Sequence, residues 1–233
     1  MSRGYLLNFL ILVASFTMAG LALGQTCADV HGTTTGCAPS PLAGQTVELT
    51  GIVYVVPGTY NSGSVYFNCG AGGMGGMTLY DPLAVVADGD EITVTGTIGA
   101  FNEEIQFDGG ASIVVNSSGN VYTPEIISTG ALAAGTPHLG GFMQVTGILA
   151  VVTPGVVYTV DDGTGPVVVY IDSTTDIDTN VLDQWLGDLL MVNGSTKCYN
   201  GQGEILHRSR NDLTMEAVAE GETSSGSLKR IYR

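Results

Sequence analysis

The strongest constraint on this chain is an internal repeat. Residues 47–53 read VELTGIV and residues 143–149 read MQVTGIL, while residues 89–97 (GDEITVTGT) match residues 187–195 (GDLLMVNGS). Gly51 and Gly147 are 96 residues apart, and Asp90 and Asp188 are 98 residues apart. Self-similarity at a nearly constant spacing predicts two copies of one structural unit.

Two further matches occur in the same order along the chain. The segment TLYD at residues 78–81 matches VVYID at residues 168–172, with one extra residue in the second copy. Phe101-Asn102 matches Tyr199-Asn200, and we pair the following Glu104-Ile105 with Glu204-Ile205. These matches extend each copy over most of a small domain.

Each copy has the pattern of β-strands. Residues 91–95 and 144–146 alternate polar with apolar side chains, which is the period of a half-buried strand. The segment DDGTG at residues 161–165 predicts a hairpin loop. The glycine-rich residues 69–76 occupy the same place in the first copy and predict a flexible hairpin tip, because the Lys-Ser/Thr ending of a phosphate loop is absent.

One segment predicts a helix. Residues 178–186 (DTNVLDQWL) begin with a capping residue, Asp178, and place Val181, Leu182 and Trp185 on one face, with Gly187 after the end. The helix falls between the third and fourth strands of the second copy. We expect Trp185 to fill the core there.

The N-terminal residues predict export. Residues 1–24 combine Arg3, an apolar run from Leu6 to Leu12 and a small-residue cleavage site, which is the pattern of a signal peptide cut before Gln25. The alternative is a membrane anchor, which the polar and small residues within the stretch disfavour. We therefore expect a secreted or periplasmic protein with no membrane association after cleavage.

Four cysteines follow the predicted cleavage site: Cys27, Cys37, Cys69 and Cys198. An even number in an exported chain predicts disulfides. Three pairings are consistent with the sequence. We favour Cys27–Cys37, which closes a short loop and leaves Cys69–Cys198 to join the two halves of the chain.

The charge of the chain restricts its partners. Seven Lys and Arg residues against 22 Asp and Glu give a net charge of −15, and neither Lys nor Arg occurs between Arg3 and Lys197. Phosphate-driven nucleic-acid binding draws its affinity from Lys and Arg, so this composition disfavours it. An acidic surface also repels anionic membranes.

The order of these motifs resembles the OB-fold. A long glycine-containing strand (VTGIL) precedes a hairpin (DDGTGPVVVY), a short connector and a GDxxxVxG strand. In particular, the pattern is similar to the tandem OB-type domains of secreted bacterial proteins, including those attached to extracellular nucleases, over about residues 45–116 and 141–215. The resemblance implies an all-β fold of two tandem OB-like five-stranded β-barrels, with strands bending at glycines that include Gly51 and Gly147.

This interpretation divides the chain into six segments. They are a signal peptide (1–24), a Cys/Thr/Gly-rich segment (25–44), a first OB-like barrel (45–120), a linker (121–140), a second OB-like barrel (141–216) and a flexible C-terminal tail (217–233).

The resemblance also implies where a ligand would bind. OB-folds bind single strands of nucleic acid with a basic groove and with exposed aromatic side chains on the face of strands 2 and 3. The first copy offers aromatic residues without cations. The candidate ligand-binding residues therefore lie in the second copy: Tyr158, Tyr170, Lys197, His207, Arg208 and Arg210. The alternative is that the tyrosines lie on strand faces and that the cations offset nearby carboxylates.

Calcium is the one cofactor that the residues suggest. Asp172, Asp176, Asp178 and Asn180 supply oxygen ligands at close spacing, although they lack the glycine and glutamate positions of an EF-hand loop. The alternative role of Asp178 is helix capping.

Nothing in the sequence predicts catalysis. Adjacent carboxylates such as Glu103 and Glu104 point to opposite faces of a strand, and no nucleophile motif accompanies the histidines. We therefore expect an exported, non-enzymatic binding or structural module. The alternative function is binding of single-stranded nucleic acid or oligosaccharide through the second barrel, including as an accessory to an extracellular nuclease. An extracellular protein partner is a further candidate.

Overall fold

The computed structural model describes residues 25–32, 37–69, 75–135 and 139–215. Almost all of its regular structure is β-strand in two sheets, which confirms the all-β prediction. The predicted signal peptide, the C-terminal tail and residues 70–74 of the glycine-rich loop lie outside the described residues. The described α-helices are α1 (Cys27–His31), α2 (Thr129–Ala133) and α3 (Thr179–Gln184), and a 3-10 helix spans Arg210–Asp212. Among the described residues, no helix has the length and apolar character needed to span a membrane.

The first sheet closes on itself. Its strands are β1 (Thr46–Val55), β2 (Ser64–Asn68), β3 (Gly76–Tyr80), β4 (Glu91–Phe101), β5 (Glu104–Phe107) and β6 (Ser112–Ser117). They follow the order β1-β2-β3-β5-β4-β6, and β1 also pairs with β4. Five strands therefore form a closed barrel, which we call barrel 1, and β6 flanks it.

The second sheet has the same connectivity. Its strands are β7 (Glu125–Ile126), β8 (Phe142–Thr153), β9 (Val157–Asp161), β10 (Val167–Tyr170), β11 (Leu189–Tyr199), β12 (Gln202–Leu206) and β13 (Leu213–Met215). The order is β13-β11-β12-β10-β9-β8-β7, closed by a β8–β11 pairing. In this barrel 2 the third and fifth barrel strands, β10 and β12, run parallel, as β3 and β5 do in barrel 1.

The strand registers confirm most of the repeat and correct one match. Gly51 pairs with Ile92 in barrel 1, and Gly147 pairs with Leu190 in barrel 2. The β4–β5 hairpin, however, pairs Phe101 with Glu104, whereas the β11–β12 hairpin pairs Tyr199 with Gln202. Glu104 is thus equivalent to Gln202, and the predicted equivalence of Glu104-Ile105 with Glu204-Ile205 is wrong by two residues. The shared turn at Asn102 and Asn200, both with positive φ, sets this register.

Close packing accounts for the glycines of the first strands. Side chains on alternate positions of β1 enter the barrel core. A Cβ atom on Gly51 would collide with the Asn68 carbonyl, and one on Gly147 would lie 2.6 Å from the Asp161 backbone. Each glycine lies where the strand turns from one neighbouring strand to the next.

Helix α3 forms where the sequence predicts it. The carboxylate of its N-cap residue, Asp178, accepts a hydrogen bond from Asn180 N at 3.0 Å. Leu182 is buried, and Trp185 packs against the core of barrel 2. The capping role of Asp178 is therefore confirmed, whereas Trp185 is only partly buried and covers the core rather than filling it.

The disulfide pairing differs from the favoured one. All four cysteines are bonded, as predicted, but the pairs are Cys27–Cys69 and Cys37–Cys198. Cys27 lies in helix α1, whose side chains enter the core of barrel 1, whereas Cys198 lies in β11 of barrel 2. The N-terminal segment therefore joins both barrels covalently rather than closing a local loop. Two disulfides indicate an oxidising environment.

Candidate ligand-binding cleft between the barrels

A cluster of aromatic side chains lies where the barrels meet. Tyr54, Tyr60 and Tyr66 of barrel 1 pack against Phe142 and Leu206 of barrel 2. The Tyr54 hydroxyl donates to the Gly140 carbonyl at 2.6 Å, and the Tyr60 hydroxyl donates to the Leu206 carbonyl at 2.8 Å. Buried aromatic rings with satisfied hydroxyl groups form a specific contact, so the barrels have a fixed relative placement.

Arg208 completes this interface from barrel 2. Its Nε and Nη2 atoms donate to the Asp212 carboxylate at 3.0 and 2.9 Å. Its Nη1 atom donates to the Tyr54 carbonyl at 3.0 Å and to the Tyr122 hydroxyl at 2.6 Å, and the guanidinium lies 4.1 Å from the centre of the Phe142 ring. Since these donors are engaged within the protein, Arg208 acts in structure and is not available to a phosphate group.

The hairpin tips of the two barrels also touch. The Glu103 carboxylate accepts a hydrogen bond from Gly201 N at 2.6 Å. Glu103 has φ of 69°, a backbone conformation that costs little for glycine but more for a residue with a Cβ atom. Glycine, Gly201, occupies the equivalent position in barrel 2. The contact across the barrels is consistent with this conformation of Glu103.

Beside these contacts, the barrels enclose a cleft of about 600 Å³. This volume falls in the range of ligand sites, roughly 300–1,000 Å³. Three aromatic side chains at the cleft are accessible to solvent: Tyr80 (52% exposed), Phe101 (65%) and Tyr199 (50%). Tyr60 and Tyr66 line it from the buried interface. Aromatic faces are thus available from both barrels.

Polar side chains from both barrels complete the lining: Ser62, Ser64, Asn102, Glu104, Gln106, Asp172 and Lys197. The Glu104 carboxylate accepts a hydrogen bond from Thr78 Oγ1 at 2.6 Å and another from the Tyr66 hydroxyl. Burial raises the pKa of Glu104, opposed by these hydrogen bonds and by the charge of Lys197. Glu104 is therefore a desolvated carboxyl group among aromatic rings.

Lys197 is held by its own barrel. Its Nζ atom lies 3.3 Å from the Glu204 carboxylate on the neighbouring strand and 5.7 Å from the centre of the Tyr170 ring. Burial raises the pKa of Glu204, and Lys197 opposes this effect. Among the described residues that line the cleft, Lys197 is the one cationic side chain, and it already has a carboxylate partner.

The six candidate residues do not form one surface. Tyr158 is fully buried, and its hydroxyl donates to Asp183 at 2.8 Å. His207 is also fully buried; its Nε2 atom lies 2.9 Å from Thr175 Oγ1, and burial lowers its pKa to about 4. Tyr170 packs beside the interface cluster. Of the six, Lys197 alone lines the cleft.

Arg210 lies elsewhere on barrel 2. It is exposed, and its backbone N donates to Asp176 at 2.8 Å. Arg208 and Arg210 are two residues apart but differ in environment, because one is enclosed in the interface and the other faces solvent.

The four candidate calcium ligands have separate roles. Asp172 accepts hydrogen bonds from Thr174 N and Oγ1 at 2.9 and 2.6 Å. Asp176 binds the backbone of Arg210, and Asp178 binds Asn180 at the start of α3. In the part of the chain that the structure describes, no three His, Cys, Asp or Glu side chains gather in a way that could hold a metal ion.

Sequence reasoning did not select Phe101, Tyr199 and Glu104. Phe101 and Tyr199 precede the asparagines that start equivalent hairpin turns. The sequence held one signal for these two residues: an aromatic residue is repeated just before a turn, where a core position is not expected. Glu104 has no such signal, because its environment comes from residues distant in the sequence, namely Thr78 and Tyr66 of barrel 1 and Lys197 of barrel 2.

Comparisons with known proteins add little to this description. No family model matches the chain, and no curated protein does. Solved structures match over most of the chain at low similarity. A murine DNA-binding protein bound with double-stranded DNA has a TM-score of 0.38 and 10% identity, covering 75% of this chain and 99% of that chain. The Ifi202 HINa domain in complex with 20-bp double-stranded DNA has a TM-score of 0.35 and 12% identity, covering 79% and 98%. The p202 HIN1 domain in complex with a DNA 12-mer has a TM-score of 0.36 and 11% identity, covering 82% and 99%. Similarity at this level carries no argument about function.

Proposed function

We propose that this chain is an exported, non-enzymatic binding module whose ligand, an oligosaccharide, occupies the cleft between the two barrels. The observation that carries the proposal is the lining of the cleft. Exposed aromatic faces from both barrels stand beside hydroxyl, amide and carboxyl groups. A sugar ring presents an apolar face and a rim of hydroxyl groups, so it matches aromatic surfaces flanked by hydrogen-bonding side chains.

The charges around the cleft favour a ligand without phosphate groups. Lys197 pairs with Glu204, Arg208 pairs with Asp212, and the chain carries a net charge of −15. A polyanion would have to displace these pairs or bind without them. Carboxylates, in contrast, accept hydrogen bonds from sugar hydroxyl groups.

The proposed role is binding rather than catalysis because the cleft carboxyl groups are not arranged as an acid–base pair. Among the described residues, the cleft is lined by two carboxyl groups, those of Glu104 and Asp172, and Asp172 is engaged by Thr174. Glu104 thus stands as the candidate carboxyl group for a ligand. The two disulfides support an extracellular or periplasmic location.

The test is calorimetric titration of the chain with neutral oligomers of glucose and of N-acetylglucosamine. We expect binding that Phe101→Ala and Tyr199→Ala each weaken about three- to tenfold, because each removes an aromatic contact worth about 0.5–1.5 kcal/mol. Val114→Ala, an exposed apolar residue on β6, is the control and leaves the affinity unchanged. Absence of binding to these oligomers and also to the glucosamine trimer would contradict the proposal.

Single-stranded nucleic acid is the second candidate ligand, and the exposed rings of Tyr80, Phe101 and Tyr199 favour it. Bases stack on aromatic side chains regardless of sequence. This function predicts binding to labelled single-stranded DNA or RNA at low salt that weakens steeply as salt is added, and a smaller salt dependence in Lys197→Met. The oligosaccharide proposal predicts neither effect.

A further inference from the structure

Among the described residues, the groups that donate hydrogen bonds to the Glu104 carboxyl are neutral. The hydroxyl groups of Thr78 and Tyr66 donate to it. The charge of Lys197 lowers the pKa of Glu104, but its Nζ atom lies 3.3 Å from a different carboxylate, that of Glu204. Glu104 therefore faces the cleft as a carboxyl group that makes no salt bridge among the described residues, although the charge of Lys197 acts on it.

The other acidic group of the cleft is already satisfied. Asp172 accepts two hydrogen bonds from Thr174, and both of its oxygens lie 3.4 Å from Asn61 N. A donor from a ligand would compete with these bonds. Glu104 is thus the acidic side chain at which a ligand gains most by supplying a positive charge.

The rings around the cleft favour the same kind of group. Tyr60, Tyr66, Tyr80, Phe101 and Tyr199 line it from both barrels. The face of an aromatic ring attracts a cation within about 6 Å of its centre. A carboxyl group and aromatic faces in one cleft are complementary to an ammonium group attached to a partly apolar ligand.

We infer that the cleft selects an amino sugar, an oligosaccharide with free, protonated amines, and that Glu104 is the residue that determines this specificity. The inference rests on the proposed oligosaccharide function and narrows its ligand class. The ammonium group donates to the Glu104 carboxylate, while the sugar rings lie against Phe101 and Tyr199.

The experiment compares glucosamine, N-acetylglucosamine and glucose trimers by calorimetry with the intact chain at neutral pH. We expect the glucosamine trimer to bind about tenfold more tightly than the other two, a difference of about 1.4 kcal/mol, because a hydrogen bond to a charged group is stronger than one between neutral groups. Glu104→Gln removes this preference, so that the glucosamine and glucose trimers bind this variant with affinities within about twofold of each other. Glu48→Gln removes the same unit of charge from an exposed site on β1 and leaves the preference intact.

The outcomes separate the inference from the proposed function. Equal binding of the three trimers contradicts the amino-sugar inference and supports the oligosaccharide function. Binding of the glucosamine trimer that Glu104→Gln and Glu48→Gln weaken equally also contradicts the inference, because general attraction to an acidic protein then explains it. Binding of no trimer contradicts both. Circular dichroism of Glu104→Gln checks that the variant is folded.

Discussion

The two barrels have the same strand order but differ where they face each other. On adjacent strands barrel 2 carries the Lys197–Glu204 ion pair, and barrel 1 carries Gly99 opposite Gln106 at the equivalent positions. The glycines that let the first strands bend are repeated, whereas the charged residues at the cleft are not. The repeated positions therefore determine the fold, and the differing positions give the cleft its chemistry.

The largest effect we expect concerns the covalent link between the barrels. Replacing Cys37 and Cys198 together by serine removes a disulfide whose cysteines are 161 residues apart in the sequence. On the chain-entropy account, this should lower the free energy of unfolding by about 5 kcal/mol. Replacing Cys27 and Cys69, 42 residues apart, should cost about 4 kcal/mol. Chemical denaturation measures both. A negligible loss for the first pair would show that noncovalent contacts alone fix the barrels together.

The second comparison uses two arginines of barrel 2. Arg208→Met leaves the buried Asp212 carboxylate without its partner and should destabilise the protein by about 3–5 kcal/mol. Arg210→Met, at an exposed site, should change the free energy of unfolding by less than about 0.5 kcal/mol. Thermal unfolding of both variants is the measurement, and equal effects would contradict the interface role of Arg208.

The third comparison tests whether the equivalent glycines of the two barrels contribute equally to the free energy of unfolding. Gly51→Ala and Gly147→Ala each place a methyl group against backbone atoms and should each cost about 1–3 kcal/mol. Gly109→Ala is the control, because a Cβ atom there meets no atom within 4 Å. If one of the two variants is as stable as the control, the barrels do not share this constraint.

The smallest effect is the pH dependence that arises from Glu104 of barrel 1. The pKa of Glu104 is raised by burial, so the folded chain holds this proton more tightly than the unfolded chain does. Its contribution to stability is therefore present below pH 4.5, the ordinary value, and is lost as the pH rises through the folded pKa. Thr78, Tyr66 and Lys197 act in the opposite direction.

Glu104→Gln should accordingly gain stability relative to the native chain as the pH rises above 4.5, with Glu48→Gln as the matched loss of charge. Melting temperatures between acid and neutral pH measure this difference. A constant difference across the range would mean that the Glu104 carboxyl is not desolvated.

The sequence predicted the features that depend on neighbouring residues. Alternation predicted the strands, the capping residue Asp178 predicted the start of α3, and the repeat predicted two equivalent units. The Glu104-Ile105 match failed because it followed the identical Glu-Ile pair in the second copy. The hairpin register is set instead by the turn at Asn102 and Asn200.

The disulfides and the cleft required contacts between distant parts of the chain. A short loop favoured Cys27–Cys37, but helix α1 packs on barrel 1 while Cys37 bonds to barrel 2. In the sequence, His207 and Arg208 are typical of a basic surface. In the structure, the Arg208 guanidinium donates hydrogen bonds within the protein, and His207 is fully buried. Neither burial nor the neighbouring barrel can be read from a local motif.

The most direct test of a ligand site shared by both barrels is an NMR titration of the isotope-labelled chain with the glucosamine trimer. The account predicts saturable shift changes in two segments, residues 99–106 of barrel 1 and residues 197–199 of barrel 2, that appear together at one ligand concentration. Changes confined to one barrel, or changes outside the cleft such as on the β8–β9 face, would contradict it.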